Sequence, residues 1–367
     1  MKVLGLTLLV VAVFLSESKA AEMNEYQMVS LNNGAYNVLW KYDMLKDTFM
    51  FNVTVNATGW VAFGVSKSFG QMNGYDVIIG SVGGMHMNES YSKDYFTRMR
   101  AMPMPDAENM QNIMLTSASE MDGYTNLVFH RQRKTGDTVT DVEIMPGKMY
   151  LVWAYHYTKD INTTTGVFMR HSTTTRGGME YMFIDEKYTI VEINDKYRLY
   201  WAYDSSKEMF YFTVVVQTTG WVAFGVSTQR GGMNGYDVIV GDSTGEFSDY
   251  LTRGTTRPPK DTIQNVNLTK YEQRDGYTLL TFHRKRNTGD ESEDVEITPG
   301  KMNIVWAYGT ADVPADGNFV QHSPQARGGM EYTFIEDTNG GNGSSSVYTP
   351  SILGIIALFL FQRVIDA

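Results

Sequence analysis

Gly59-Trp60-Val61-Ala62-Phe63-Gly64-Val65-Ser66 returns 161 residues later as Gly220-Trp221-Val222-Ala223-Phe224-Gly225-Val226-Ser227. The same offset carries Met72-Asn73-Gly74-Tyr75-Asp76-Val77 onto Met233-Asn234-Gly235-Tyr236-Asp237-Val238. An offset held over two blocks marks a duplicated structural unit. Each block sets β-branched and aromatic residues between glycines, the pattern of a buried strand. Upstream, Val38-Leu39-Trp40-Lys41-Tyr42 alternates apolar and polar, and Leu199-Tyr200-Trp201-Ala202-Tyr203 repeats that opening strand. Downstream, Phe129-His130-Arg131 returns as Phe282-His283-Arg284, and Pro146-Gly147-Lys148 as Pro299-Gly300-Lys301. There the offset has fallen to 153, which assigns a Met-rich, loop-like insertion at residues 81–106 to the first unit alone. Strands recur with turn signals between them and few windows carry a 3.6-residue period. The expected class is therefore all-β, two antiparallel sandwiches or barrels in tandem, at residues 24–185 and 188–337. The short junction Asp185-Glu186-Lys187 predicts a fixed or narrowly hinged pair.

Bulk properties narrow the function. The 367 residues suit two ordinary domains with short end segments. A net charge of −10 argues against nucleic acid and against an anionic membrane surface. There is no cysteine, which removes disulfides, thiolate zinc sites, iron–sulfur clusters and covalently attached haem. The 23 methionines make any single one weak evidence for a ligand, because Met commonly fills core gaps.

The chain ends read as processing and tethering segments. Residues 1–20 have a basic start at Lys2, an apolar run and small residues before a cut after Ala20, as in a secretory signal peptide. Residues 338–346 form a Gly/Ser/Asn linker. Residues 347–367 carry a short hydrophobic segment, read as a glycosylphosphatidylinositol (GPI) signal, a short transmembrane helix, or neither in a fully secreted product. All three readings place the two units outside the cell. Acceptor patterns for N-glycosylation at Asn52, Asn56, Asn88, Asn162, Asn267 and Asn342 agree with that location. Asn52 and Asn56, four apart along a strand, are expected to face the solvent side together.

The repeated set has a family resemblance. Gly-Trp-Val-Ala-Phe-Gly-Val-Ser, then Met-x-Gly-x-Asp-Val, Val-Trp-Ala-Tyr, and a late His with Arg-Gly-Gly resemble the DOMON domain. That β-sandwich module heads dopamine β-monooxygenase-like proteins and occurs in ferric-chelate-reductase-like proteins and extracellular cytochrome domains. The resemblance implies two immunoglobulin-like sandwiches of roughly ten strands each. Relatives that continue into a copper monooxygenase domain or a multi-helix cytochrome domain have no counterpart of those parts here, so their catalysis is not expected of this chain.

In the haem-binding branch of that family, a Met from the Met-x-Gly-x-Asp segment and a late His hold b-type haem. The resemblance points here to Met72 with His171 and to Met233 with His322, with a planar cofactor entering at an end of each sandwich. The alternative is that the methionines are gap-fillers and the histidines bond to backbone. Strand alternation turns Phe129 and Phe282 inwards and His130 and His283 outwards. Asp76 and Asp237, opening a buried strand, are candidates for a cation or a sugar hydroxyl, or cap the preceding loop. His86, in Met85-His86-Met87, is a weak candidate for a soft metal ion or simply part of a loop. The repeated tryptophans read as core. No His-Glu-x-x-His helix, P-loop or dinucleotide fingerprint occurs, and no hydrolytic or transferase activity is expected.

Three functions from different classes remain. One is a tethered extracellular pair of modules that bind a sugar, cation or protein surface in adhesion or matrix. Another is a two-haem extracellular redox protein. The last is an acidic glycoprotein of an extracellular or mineralised matrix.

Overall fold

The computed structural model describes residues 25–83, 90–314 and 319–337. The expected signal peptide, linker and C-terminal segment lie outside these residues, as do His86, Asn88 and Asn342. No α-helix occurs among the described residues, and no helix there is long and apolar enough to cross a membrane.

In the first unit the strands are β1 (Gln27–Leu31), β2 (Tyr36–Asp43), β3 (Thr48–Val55), β4 (Val61–Ser66), β5 (Tyr75–Val82), β6 (Ser90–Phe96), β7 (Met104–Pro105), β8 (Ile113–Met121), β9 (Tyr124–Gln132), β10 (Met149–Tyr155) and β11 (Arg176–Tyr181). The second unit has β12 (Thr189–Asn194), β13 (Tyr197–Asp204), β14 (Met209–Val216), β15 (Val222–Ser227), β16 (Asn234–Gly241), β17 (Phe247–Arg253), β18 (Val266–Arg274), β19 (Tyr277–Lys285), β20 (Lys301–Tyr308) and β21 (Arg327–Thr333). They form four sheets, ordered β1-β2-β3-β9-β8 and β11-β10-β4-β5-β6-β7, then β12-β13-β14-β19-β18 and β17-β16-β15-β20-β21. All these pairings are antiparallel, so each unit is the expected two-sheet sandwich.

Alternation explains the packing. In β2 and β3 every second side chain is buried, so this sheet has one dry face. Phe51 from β3 meets Phe63 from β4 with ring centroids 4.6 Å apart, and Tyr36 Oη donates across the sheets to the Ala62 carbonyl at 2.7 Å. The second unit repeats both ties, with Phe212 against Phe224 and Tyr197 Oη on the Ala223 carbonyl. The central strands β4 and β15 are buried at every position. One side chain set joins the core, and the other is covered outside the sandwich by a loop. That outer layer is a separate apolar cluster of Trp60, Ala62, Val77, Ile79, Tyr95 and Val152, with Met72 and Phe168 packed on it.

One sequence expectation is corrected. Residues 81–106 are not one loop-like insertion, because they contain β6, whose counterpart in the second unit is β17. Tyr95 and Thr97 correspond to Tyr250 and Thr252 at an offset of 155, so six of the first unit's extra residues lie between Asp76 and β6. Clustered methionines hid a strand of Ser, Tyr, Lys and Asp that carries little apolar alternation.

The two units share a polar and apolar seam. Tyr42 Oη and Tyr200 Oη lie 2.7 Å apart in a buried contact, and Arg198 Nη2 donates to the Met44 carbonyl at 2.8 Å. Arg133, 1% exposed, pairs with Asp47 at 2.8 Å, with Glu143, and across the seam with Glu192 at 2.7 Å. Arg274–Asp43 and Lys46–Asp275 pair at its edge, each at 2.7 Å. Tyr188, Tyr200, Ala202, Val215 and Leu279 join the apolar core of the first unit.

Candidate functional site

Each unit has a pocket on the outer face of its β4 or β15 sheet. Trp60 and Ala62 lead out of the core at the start of β4, Val77 and Ile79 do so on β5, and Val152 and Ala154 on β10, so alternation alone builds an apolar floor. The loop between β10 and β11 crosses this floor. It is held because Trp60 Nε1 donates to the Met169 carbonyl at 2.9 Å, while Phe168 packs edge-on against the indole. The cavity between floor and loop has a volume of about 540 Å³ in the first unit and about 410 Å³ in the second. Both values fall in the range of about 300–1,000 Å³ typical of small-molecule sites.

Met72 and His171 line the first pocket together, and Met233 and His322 line the second. The pairs are 99 and 89 residues apart in the chain, and the fold brings each to one cavity. This corrects the expected route of entry. The pockets open on the outer face of one sheet, not at an end of the sandwich, because their floor is the outward set of side chains on β4, β5 and β10. Met72 has φ 53° and follows Gln71 at φ 56°, and Met233 at φ 49° follows Gly232. Left-handed backbone is uncommon for Met, and it recurs here at equivalent positions on both pocket rims. His171 Nδ1 lies 3.1 Å from the Ser172 carbonyl, which makes Nδ1 the protonated nitrogen and leaves Nε2 free. Burial, with Arg176 nearby, holds the His171 pKa below the ordinary imidazole value, and burial with Arg327 does the same for His322.

Among the described residues no carboxylate lines either pocket, although the chain is acidic. Arg100, Arg170 and Arg176 line the first, and Arg230 and Arg327 the second. The Arg-Gly-Gly motif has a steric reason. Trp153 lies over Gly177 and Trp306 over Gly328, so that a Cβ would come within 2.6 and 2.5 Å of the two indoles. The tryptophans expected as core therefore divide. Trp40, Trp153, Trp201 and Trp306 pack against the cores, Trp153 and Trp306 also reaching the pocket walls, while Trp60 and Trp221 belong to the outer clusters under the pockets.

Asp76 and Asp237 lie elsewhere, on the inward-facing side of the same sheets. Asp76 is buried and pairs with Arg131, and it also accepts from Val142 N at 2.8 Å. Asp237 pairs with Arg284 at 2.6 Å and accepts from Val295 N at 2.8 Å. They are thus not caps of the preceding loop. The arginines were missed, yet the signal was present: alternation that turns Phe129 inwards turns Arg131 inwards too. His130 and His283 sit half-buried on the outer face of β9 and β19.

Further buried acids gather beside these pairs. Carboxylate oxygens of Asp76, Asp94 and Asp141 lie within 4.8 Å of one another, as do those of Asp106, Asp137 and Asp141, and those of Asp237, Asp249 and Asp294 in the second unit. Burial first, and then repulsion from neighbouring carboxylates, pushes Asp94 and Asp249 each up to about 9. Burial raises Asp106 to about 6 and Asp261 to about 7. These acids went unread because Asp is common throughout the chain and their spacing is irregular. Of the acceptor asparagines described, Asn56, Asn162 and Asn267 are exposed, while Asn52 is half-buried and accepts from Asn126 Nδ2 at 2.6 Å.

Known proteins match parts of the chain. The chain is 33% identical over 124 residues to DBH-like monooxygenase protein 1 of Gallus gallus, covering 33% of this chain and 20% of that protein. It is 32% identical over 120 residues to DBH-like monooxygenase protein 2 of Mus musculus, covering 32% and 19%. The match thus spans about a fifth of the length of these curated relatives. Among solved structures, the cytochrome b domain of pyranose dehydrogenase from Coprinopsis cinerea is similar at a TM-score of 0.35 and 16% identity, covering 42% of this chain and 81% of that one. The cytochrome domain of cellobiose dehydrogenase from Myriococcum thermophilum is similar at 0.32 and 14%, covering 43% and 85%. The family model of the DOMON domain matches residues 32–156 and 193–309, about two thirds of the sequence, and the chain belongs to the DOMON domain family as a tandem pair.

Proposed function

We propose that this is an extracellular tandem DOMON protein that binds a flat, largely apolar, anionic small molecule in each unit. Haem b, held by Met72 with His171 and by Met233 with His322, is the occupant this residue set fits. The observation that carries the reading is the convergence of each Met–His pair on one pocket that has a tryptophan floor, arginines and, among the described residues, no acid. A neutral imidazole with a free Nε2 is the ligating form, and burial keeps His171 neutral at pH 7. Arg100, Arg170 and Arg176 supply counter-charge for peripheral carboxylates such as haem propionates. Phe168 and Trp60 exclude water from the floor. Haem with one thioether and one imidazole ligand supplies reversible one-electron chemistry at a raised potential.

The role is binding or electron carriage, not catalysis. The monooxygenase names of the relatives belong to proteins matched over about a fifth of their length. The proposed extracellular location rests on the signal-like residues 1–20 and on exposed acceptor asparagines at Asn56, Asn162 and Asn267. Tethering through residues 347–367 belongs to the same proposal. A module that binds a sugar or a protein surface is the second reading, favoured by the simple packing of Met72 on the Trp60 cluster.

An absorption spectrum of the secreted chain, expressed with haem supplied, tests this. A Soret band with sharp reduced α and β bands is expected, reduced by about half in Met72→Ala and lost in Met72→Ala/His322→Ala. A featureless spectrum that persists after haem is added refutes the haem reading and leaves the sugar or protein-surface one.

A further inference from the structure

Each unit buries more carboxyl groups beside its Asp–Arg pair than one guanidinium can partner. In the first unit Asp76, Asp94, Asp106 and Asp141 share Arg131; in the second Asp237, Asp249, Asp261 and Asp294 share Arg284. Several of their oxygens meet nothing. Asp94, 0% exposed, has Oδ1 accepting from Tyr95 N at 3.1 Å while Oδ2 is unpartnered. Asp106, 8% exposed, leaves Oδ2 unpartnered, and Asp141 Oδ1 and Asn112 Oδ1 are also bare. The second unit repeats the pattern at Asp237 Oδ1, Asp249 Oδ2, Asp261 Oδ2, Asp294 Oδ1 and Asn265 Oδ1, with Asp237 itself 0% exposed. Buried acceptors almost always find a donor or a cation, and an unpaired buried carboxylate is strongly unfavourable.

The surrounding scaffold is built twice in the same way. The Gln111 amide accepts from Asp94 N at 2.8 Å and donates to the Asp94 and Asp106 carbonyls at 3.2 and 2.9 Å. Gln264 does the same for Asp249 N at 2.7 Å and for the Asp249 and Asp261 carbonyls at 3.1 and 3.0 Å. In both units the second Asp backbone N–H donates to the first Asp carbonyl at 3.0 Å. Asp94, Asp106, Asp249 and Asp261 are therefore held on a preorganised frame, unlike mobile surface carboxylates.

We propose that each unit binds one Ca²⁺ ion in this buried nest, through Asp94 and Asp141 with Asn112 in the first and through Asp249 and Asp294 with Asn265 in the second, Asp106 and Asp261 lying beside it. Asp76 and Asp237 complete the shell from the side of their arginines. The donors are oxygen only, carboxylate and amide, which selects a hard cation over zinc or copper. A buried cage of protein oxygens suits Ca²⁺, because Mg²⁺ dehydrates reluctantly and usually keeps several waters. The carboxylate oxygens of Asp76, Asp94 and Asp141, and those of Asp237, Asp249 and Asp294, lie within 4.8 Å of one another, close enough to share one ion.

The test uses the full secreted chain, purified without chelator, dialysed, and analysed for metal by mass spectrometry. Two Ca²⁺ per chain are expected, one in Asp94→Asn or Asp249→Asn, and none in the double variant. Glu108→Gln, an exposed acid that pairs with Lys93, leaves the count at two. Removing the ions with EGTA lowers the melting temperature of the wild type by about 5 °C or more, and Ca²⁺ restores it where Mg²⁺ at equal concentration does not. This arm keeps the test valid if a variant fails to fold. A metal-free wild type whose melting is unchanged by EGTA and by added Ca²⁺ overturns the proposal in favour of protons shared among the acids. The readout is metal content and melting, so it stands or falls independently of any haem spectrum.

Discussion

Gly328→Ala and its neighbour Gly329→Ala should behave in opposite ways. Both glycines lie in β21, and neither has a positive φ, so backbone freedom is not at issue. Gly328 pairs with Trp306 across β20–β21, and the indole lies over it. A Cβ there would sit 2.5 Å from Trp306 Cζ2 and 2.7 Å from Cε2, where carbon atoms ordinarily rest at about 3.5–4.0 Å. The ring must retreat by about 1 Å, away from its packing with Tyr197 at 5.7 Å between centroids. Such overpacking costs about 1–3 kcal/mol. At about 2–4 °C per kcal/mol for a unit of this size, calorimetry of the whole chain should show melting lowered by about 2–12 °C. Gly329 points to the other face, and a Cβ there meets only the Ile304 carbonyl at 3.4 Å and Val305 Cγ1 at 3.5 Å. Its replacement removes unfolded-state freedom and should be neutral or stabilising by up to about 1 kcal/mol. Equal shifts in the two variants, or an unchanged Gly328→Ala, would refute the claim that the motif exists to seat the indole.

Two further outcomes follow from buried groups. Arg133→Ala strands Asp47, Glu143 and Glu192 at the seam and should cost about 3 kcal/mol, near the lower end for a broken buried pair because Glu143 and Glu192 are partly exposed. Calorimetry should also show a single transition splitting in two; one unshifted transition would contradict the role assigned to Arg133. For pH, burial lowers the folded-state pKa of His130 and His283 below the unfolded value of about 6.5. Their contribution is fully present above that value and is lost as pH falls through the folded pKa. Urea midpoints between pH 7.5 and 5 should therefore fall less steeply in His130→Gln/His283→Gln than in the wild type. The raised carboxyls of the acid nests act with opposite sign in the same window, so the difference between the two proteins is the quantity to read, and identical slopes would count against it.

Much of the architecture was legible because it depends on periodicity. The duplicated Trp60 and Trp221 strands, the alternation of β2 and β13 and the antiparallel sandwich class all follow from period-2 patterns between turn residues. Strand β6 was not legible, since Ser90, Ser92, Lys93 and Asp94 are polar and its burial comes from neighbours distant in sequence. The Met–His pairs were legible only through family resemblance, and their convergence on an outer sheet face depends on a loop whose path no local pattern encodes. The acid nests illustrate a different limit. Asp94 and Asp106 come together through a glutamine amide, Gln111, that carries no charge or periodic signature.

The seam between the units sets the valency of the protein. Tyr42 against Tyr200, and Arg133 reaching Glu192, join two pockets whose spacing is then a property of the fold and not of a linker. Tethered binding sites gain from each other only when one ligand scaffold spans both, and a fixed separation makes that gain all or none. A multivalent partner with matching pitch would be held by both pockets, whereas one of any other pitch would be held by a single pocket however many copies of the ligand it displayed.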